Sequence, residues 1–570
     1  MKRIAILLIV AVMIIGGCTK KEEKTNMKKI DSTILPRVKE QYMSDKYFTL
    51  GKKVTYYLDK NMADVGISSL EIFLPELELT RVDTSNADIY FKYDASVSDK
   101  EEYYELHVGE KGIQIVYKDY LGARNASSTI ALLAEKDKDS YKVPVCTIKD
   151  YPDSMYRSGL LESSGRAWKD IDEIKEDLVR MALAKMNYMN FHFFDYMGSS
   201  IRYDSYPMIK GFGKDNRQYT KDEIRDLVAF AKKLGIEIVP GIEMPAHAQA
   251  ILEAMPGLRC NGDIPNIWVL CAGNEMTYTV LDNIIKETAK LFPGKYIHIG
   301  ADELDFGDDT SWQPAWMGCS RCASLRQKED LDSERDIFYY MIERIYASVK
   351  SHGKQMIMFN DQIDISVPVD LPRDIIIHFW RIAIPGRGPV EGCSLERFLE
   401  EGFTVINSYY PETYVDFEYY AKEETIRLWT PLSSPEFDKK YASQIMGGEF
   451  CAWEEHPHFR YTLPSSITLY ADRLWNHTVC DYDNDYGKMM TRLILGINTP
   501  KNFNVFKYLG SVLPPRDDVN KAYLDKIKAD DEELVKARDN LLRSLKDNGG
   551  YGSNAAAVYM ECIDWVLENR

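Results

Sequence analysis

The stretch YIHIGADELDF, residues 296–306, begins as a strand-like run and then sets two carboxylates, Asp302 and Glu303, in series. Successive strand residues point to opposite faces, so in mid-strand these two could not serve one ligand. At the exit of a strand the backbone can turn and re-aim them. Neighbouring carboxylates also repel, which raises the proton affinity of at least one, and a carboxyl group that stays protonated near neutral pH can act as a general acid.

Seven further strand-like runs surround this one: SGLLES, MNYMNFHFFD, IEIVPGIE, KQMIMFND, DIIIHFWR, FTVINSYYP and SQIMGGEFCAWEE. Amphipathic helices lie between several of them. DIDEIKEDLVRMALAKM has an acidic first turn, TKDEIRDLVAFAKKLG opens on Thr220 and closes at Gly235, and ERDIFYYMIERIYASVKSHG ends on a glycine. Eight strands with helical crossovers predict an α/β (β/α)8 barrel over residues 151–505. A doubly wound sheet fits less well, because no Gly-rich phosphate loop follows the first strand.

In such a barrel the catalytic groups sit where strands end in loops at the carboxyl face. Polar residues recur there: His192 and Asp195, Glu243 and His247, Asp302 and Glu303, Asn360 and Asp361, Trp380 and Arg381, Tyr414 and Asp416, Trp453 and Glu455. A single strand-end carboxylate is common and means little; recurrence at strand after strand points to one site.

The chain has 570 residues, enough for two or three domains. Residues 35–150 carry β-rich pieces such as VTYYL, ADIYFKY, EEYYELHV and GIQIVY before the helical ASSTIALLAEK, which predicts a small α+β domain. Residues 506–570 read as charged amphipathic helices packed on the barrel. The net charge of −17, dispersed and without a basic stripe, disfavours nucleic acid as a partner. The 37 tyrosines and nine tryptophans supply broad apolar faces with polar handles, suited to sugars as well as to cores.

Residues 1–18, MKRIAILLIVAVMIIGGC, combine a basic start, an apolar run short for a membrane span and a small-residue end, and resemble a bacterial lipoprotein signal with Cys18 as the lipidated residue; an ordinary signal peptide or anchor is the alternative. Residues 19–34 then form a tether, and the chain is expected to be exported and membrane-anchored, at the periplasm or the cell surface. In an oxidising compartment the remaining cysteines include disulfide candidates. Cys319 and Cys322 form a lone CxxC, whereas a zinc site needs a second pair. A local disulfide or free thiols is the reading there, with Cys260 and Cys271 a second candidate pair. The HPH run at 456–458 has no further ligand at recognisable spacing, so neither metal nor cofactor is expected.

HIGADE resembles the H-x-G-G-D-E signature of family 20 glycoside hydrolases, the β-N-acetylhexosaminidases, with Ala301 in place of the second glycine. The run from Tyr219 to Leu258 is similar to the family's third-strand region, its histidine falling on His247. ALAKMNYMNFHFFD resembles the second-strand segment, whose His-x-x-Asp maps onto His192 and Asp195. KDYPDSMYRSG resembles the start of the barrel, placing the family's arginine on Arg157, and the preceding small domain resembles the family's non-catalytic domain.

The resemblance implies a retaining, substrate-assisted mechanism in which the sugar's 2-acetamido oxygen attacks the anomeric carbon and forms an oxazolinium intermediate. Glu303 would be general acid and then base, Asp302 would hold the acetamido nitrogen, and Tyr414 would donate to the acetamido oxygen. Arg157, Asp416 and Glu455 would bind sugar hydroxyls. Trp380, Trp429 and Trp453 would enclose the acetamido methyl and the ring, although Trp380 and Trp453 can also be read as barrel core, and His192 and His247 as supports of the groups that touch substrate.

Departures from the pattern are specific. The family's G-W-D-E at the fifth strand reads MFND, with Phe359 in place of a pocket tryptophan; LLESSGRAW displaces an arginine to Arg166; and the D-Q-G-W continuation after the second strand becomes Tyr196 to Ser199. Two functions compete: an exo-acting hydrolase of terminal β-linked GlcNAc or GalNAc on glycans, and a carbohydrate-binding lipoprotein on a degenerate barrel. Retention of Asp302, Glu303 and Tyr414 together favours the hydrolase, because a binder has no evident use for a general acid.

Overall fold

The computed structural model of the chain describes residues 27–569, apart from 165–167, 263–265, 307–313, 385–387, 390–393, 416–422, 454–458, 479–483, 500, 502, 505–528 and 548–552. Cys18, Arg166, Asp416, Glu455 and the HPH run therefore lie outside the described residues. Among the described residues no helix is long and apolar enough to cross a membrane.

The N-terminal part, Lys28 to Asp150, is a nine-stranded sheet with helices Asp64–Phe73 and Tyr120–Leu133. Both helices also pack on barrel helix Ile171–Leu183, and the first packs on Lys221–Lys233 as well; the second, held between its own sheet and the barrel, is buried from Gly122 to Leu133. Its small residues also allow close packing within the N-terminal part, where a Cβ on Gly122 would stand 2.6 Å from the Tyr103 carbonyl oxygen.

Eight parallel strands then close into a barrel: β1 Tyr156–Glu162, β2 Tyr188–Asp195, β3 Glu237–Ile242, β4 Tyr296–His298, β5 Gln355–Phe359, β6 Ile376–Phe379, β7 Thr404–Asn407 and β8 Ile445–Ala452. Each pairs with its neighbours in chain order and β1 pairs with both β2 and β8, which closes the ring. The expected helix signals are realised: Thr220 caps Lys221–Lys233 in a capping box, and Gly235 ends it with φ 66°.

Period-two alternation fills the barrel in layers. At the base, Tyr156, Val239, Tyr296, Ile357, Ile376 and Ile406 form an apolar plug. Two residues further along the strands the interior becomes polar: Glu449 accepts from Asn190 Nδ2 at 3.0 Å and from the Tyr156 hydroxyl at 3.2 Å, and His298 Nε2 meets His378 Nδ1 at 2.9 Å. Burial pushes the Glu449 carboxyl up to about 7. A second step reaches the aromatic and acidic mouth.

Three expectations change. The crossover between β5 and β6, residues 360–375, has no helix, as Pro368 and Pro372 break any helical run there. The charged amphipathic helices expected over residues 506–570 are interrupted at Ala529 and Asp530, which are non-helical; a helix follows over Asp531–Asp547, the Asp530 carboxylate accepting from the Glu533 amide, and then the final helix Ser553–Asn569, while residues 505–528 lie outside those described. The cysteines do not form two separate local pairs. Cys260 and Cys271, from the loop after β3, and Cys319 and Cys322, from the N-cap and first turn of helix Ser320–Glu329 in the segment after β4, converge into one buried group of free thiols.

Candidate active site

The turn after β4 explains how one strand end presents two carboxylates. The strand stops at His298, and Gly300, Ala301 and Glu303 all take left-handed backbone angles, with φ of 64°, 70° and 54°. A side chain at Gly300 would be strained and would displace the Glu243 carboxylate, which a Cβ there would overlap. Ala301 carries a strain of about 1 kcal/mol in the same conformation. The coil sends Asp302 inward, where it is 9% exposed, and leaves the Glu303 side chain 35% exposed at the mouth.

Beneath this pair lies a charge network centred on His247, itself at φ 52°. Its Nδ1 bonds Asp195 Oδ1 at 2.7 Å, and its Nε2 stands 3.4 Å from Glu303 Oε2 and 3.8 Å from Asp302 Oδ2. Burial disfavours charge on the ring, but Asp195 and Asp302 more than reverse that and hold the imidazole well above its usual range. Asp195 is held well below its own despite burial, chiefly by His247. Burial, together with Asp361 and Glu303, pushes Asp302 up to about 6, with His247 opposing. Burial and the neighbouring Asp302 carboxylate raise Glu243 well above the carboxylate range.

On the other side, Asp361 accepts from the Glu303 amide at 3.1 Å, from Trp380 Nε1 at 3.1 Å and from Arg381 Nη2 at 2.5 Å. Arg381 also approaches Glu303 Oε1 at 3.7 Å. The departure MFND thus supplies a carboxylate that fixes the general-acid candidate's backbone and a wall tryptophan together.

The wall is aromatic. Trp380 stacks on Tyr414 at 5.7 Å and 8°, Tyr414 meets Trp453 at 6.4 Å, and Trp453 presents to the edge of His192 at 4.9 Å. Phe359 closes the floor between His298, His378 and Trp380. The structure therefore brings Asp302, Glu303, Tyr414, Asp195, His192, His247, Phe359, Trp380 and Trp453 to one mouth.

Two expected site residues are elsewhere. Arg157 lies at the opposite, amino-terminal end of the barrel, fully buried, with Nη1 and Nη2 on the two carboxylate oxygens of Glu102 at 3.0 and 2.6 Å and Nε on the Lys185 carbonyl. It joins the N-terminal domain to the barrel and is corrected from sugar ligand to interdomain clamp. Trp429 packs on Tyr470 at 5.7 Å and against Gly448 on the outer, helix-facing side of β8, so it belongs to the wall of the fold instead of the mouth.

Motif reading assigned no role to four residues that shape the site. Glu243, Asp361 and Arg381 stood out only as polar strand ends. Trp268, whose ring lies 4.3 Å from His247 and whose Nε1 donates to the Glu303 carbonyl at 3.2 Å, sits in a long loop with no periodic signal.

The family model for the catalytic domain of glycosyl hydrolase family 20 matches residues 155–477, and that for the family's domain 2 matches residues 31–151. A beta-hexosaminidase of Porphyromonas gingivalis is 28% identical over 385 residues, covering 61% of this chain and 48% of that protein. The chain spans about half the length of this relative. Among solved structures, the beta-N-acetylhexosaminidase of Bacteroides fragilis is similar with a TM-score of 0.69 at 23% identity, over 80% of this chain and 94% of that one. A Flavobacterium johnsoniae chitobiase gives 0.69 at 21%, over 94% and 92%.

Proposed function

The chain belongs to glycoside hydrolase family 20, and on that premise we propose that it is an exo-acting β-N-acetylhexosaminidase, releasing terminal β-linked GlcNAc or GalNAc from glycans with retention of configuration. The observation that carries this reading is the adjacent pair of unequal carboxylates, Asp302 buried and Glu303 open, facing an aromatic wall.

Glu303, at the open end, is placed to protonate the departing glycosidic oxygen and later to take a proton from water. Asp302 needs its charge for a different task. Buried beneath the sugar, it accepts the acetamido N–H and offsets the positive charge that grows on that nitrogen as the acetamido oxygen closes on the anomeric carbon. The substrate supplies its own nucleophile, so the second carboxylate need not lie across the scissile bond, and neighbours in sequence suffice. Tyr414, wedged between Trp380 and Trp453, would donate to the acetamido oxygen.

Hydrolysis of chromogenic β-GlcNAc, β-GalNAc and β-glucose substrates, beside the Glu303→Gln and Asp302→Asn variants, tests the reading. Turnover confined to the acetamido sugars is expected, abolished by Glu303→Gln for poor leaving groups and depressed by Asp302→Asn. Because Asp302 acts ionised, kcat/KM should fall as pH drops below about 6. Equal turnover of β-glucosides, or activity untouched in both variants, would refute it.

Residues 1–18 support a further part of the proposal, that the enzyme is an exported lipoprotein held at the membrane through Cys18. Labelled palmitate should enter the wild type and not Cys18→Ala; labelling of neither would refute the anchor.

A further inference from the structure

Outside the site, the buried thiols of the loops after β3 and β4 form a group whose geometry is specific. Cys260 Sγ lies 3.8 Å from Cys322 Sγ, Cys271 Sγ lies 3.8 Å from Cys319 Sγ and 3.7 Å from Cys322 Sγ, and one sulfur from each of the four residues falls within 4.8 Å of the others. A disulfide holds its sulfurs about 2.05 Å apart. Four thiolates around zinc at about 2.3 Å stand at tetrahedral separations of about 3.8 Å. The three measured separations match the second figure.

From these positions we propose that Cys260, Cys271, Cys319 and Cys322 bind one structural zinc ion. At Cys319 and Cys322 the sequence reading set zinc aside for lack of a second CxxC. The second half of the ligand set is instead a pair separated by ten residues, which the fold, and not the spacing, brings together. The surroundings are built for close approach. A Cβ on Gly273 would meet the Arg321 carbonyl and the Cys322 amide nitrogen, so only glycine lets the two loops press together beside the sulfurs. Asn261, next to Cys260, accepts from the Ser320 amide at 3.0 Å and donates to the Ser320 hydroxyl at 2.9 Å, fixing the start of helix Ser320–Glu329. All four cysteines are buried, which closes the coordination sphere to water and makes the site structural, not catalytic. Binding would release the remaining thiol protons to solvent and leave a tetrathiolate complex of charge 2−.

The site has a consequence for the mouth of the barrel. The loop after β3 carries Trp268 between Cys260 and Cys271, and the loop after β4 carries Glu303 before Cys319. Trp268 Nε1 donates to the Glu303 carbonyl, and Trp316 Nε1 donates back to the Leu270 carbonyl at 2.9 Å. Zinc would staple the two loops at their far ends and hold this reciprocal contact in register.

Elemental analysis of the full chain, purified without chelator from zinc-supplemented growth, is expected to give about one zinc per chain. The zinc should be released by a mercurial titrant and lost in Cys319→Ser/Cys322→Ser. Because the wild-type reading does not depend on a variant folding, a second wild-type measurement completes the test: cobalt exchanged into the protein should show thiolate charge-transfer and tetrahedral ligand-field absorption. Metal-free protein with disulfides among these cysteines by mass spectrometry, metal-free protein with all four thiols open to alkylation, or stoichiometric zinc retained in the double variant would each overturn the proposal.

Discussion

His247 Nε2 lies 3.4 Å from Glu303 Oε2 while its Nδ1 bonds Asp195 at 2.7 Å, so one charged ring ties the exposed carboxylate to a buried anchor. The same ring lowers the proton affinity of Asp302, against the effects of burial and of Asp361 and Glu303. Replacing it by glutamine removes the positive charge. The Asp302 carboxyl then rises further, and the acidic limb of kcat/KM, expected near pH 6, moves upward, with a fall of roughly 100-fold at neutral pH. A pH–rate profile of His247→Gln with the limb unmoved would show that the ring does not govern Asp302.

Arg157 gives the opposite kind of prediction. Its guanidinium is fully buried against Glu102, beside a second buried pair, Lys185 and Asp150 at 2.7 Å, and Trp475 Nε1 donates to Asp150 at 3.0 Å. Removing one member strands the other charge, so Arg157→Met should cost about 3–5 kcal/mol of stability. The added change Glu102→Gln should recover part of that loss. KM on an acetamido substrate should stay unchanged in whatever fraction remains folded; a raised KM would return Arg157 to the sugar.

The contrast between these two residues shows what a single sequence carries. His247 and the Asp302–Glu303 pair were legible because they stand at strand ends, and strand ends follow from period-two runs and helix caps. Arg157 stands at a strand beginning, where the same motif alignment says nothing about which end of the barrel a long side chain serves. Trp429 was misplaced for a related reason: the outward face of β8 at Gly448 leaves room for an indole, and only the packed structure shows it filled. Trp268, Cys260 and Cys271 lie on a loop, and Cys319 and Cys322 at the start of a short helix; their partners are set by closure of the barrel and leave no periodic trace. The strands and site carboxylates are local information; the loop-to-loop contacts are not.

Trp380 joins the aromatic wall to the acid network. It stacks on Tyr414, carries the Arg381 guanidinium 4.1 Å above its ring and donates to Asp361. Trp380→Ala removes a ring of the aromatic wall and the partner that holds Tyr414 flat. Loss of about 1 kcal/mol or more of binding should raise KM several-fold, with a further drop in kcat because Asp361 no longer has all its donors to fix the Glu303 amide. Trp380→Phe should restore the stack and most of KM but not the hydrogen bond to Asp361. If both variants shift KM alike, the ring's contribution lies in its N–H.

Glu449, deep in the barrel, should set a pH dependence of stability distinct from that of activity. Its carboxyl is raised from 4.5 to about 7 by burial, with Asn190 and Tyr156 only partly offsetting that cost. The sign follows from comparing the two states. Below pH 4.5 the group is neutral whether the chain is folded or not, so it has no effect; between 4.5 and about 7 the unfolded chain ionises while the folded one does not, and stability falls; above about 7 both ionise and the loss is constant. The full penalty is at most about 3 kcal/mol. Glu449→Gln keeps the shape and a hydrogen bond from Asn190, so urea denaturation should find the variant more stable than wild type at pH 8 and no more stable at pH 4. A variant less stable at both would mean that the carboxyl's hydrogen bonds outweigh its desolvation.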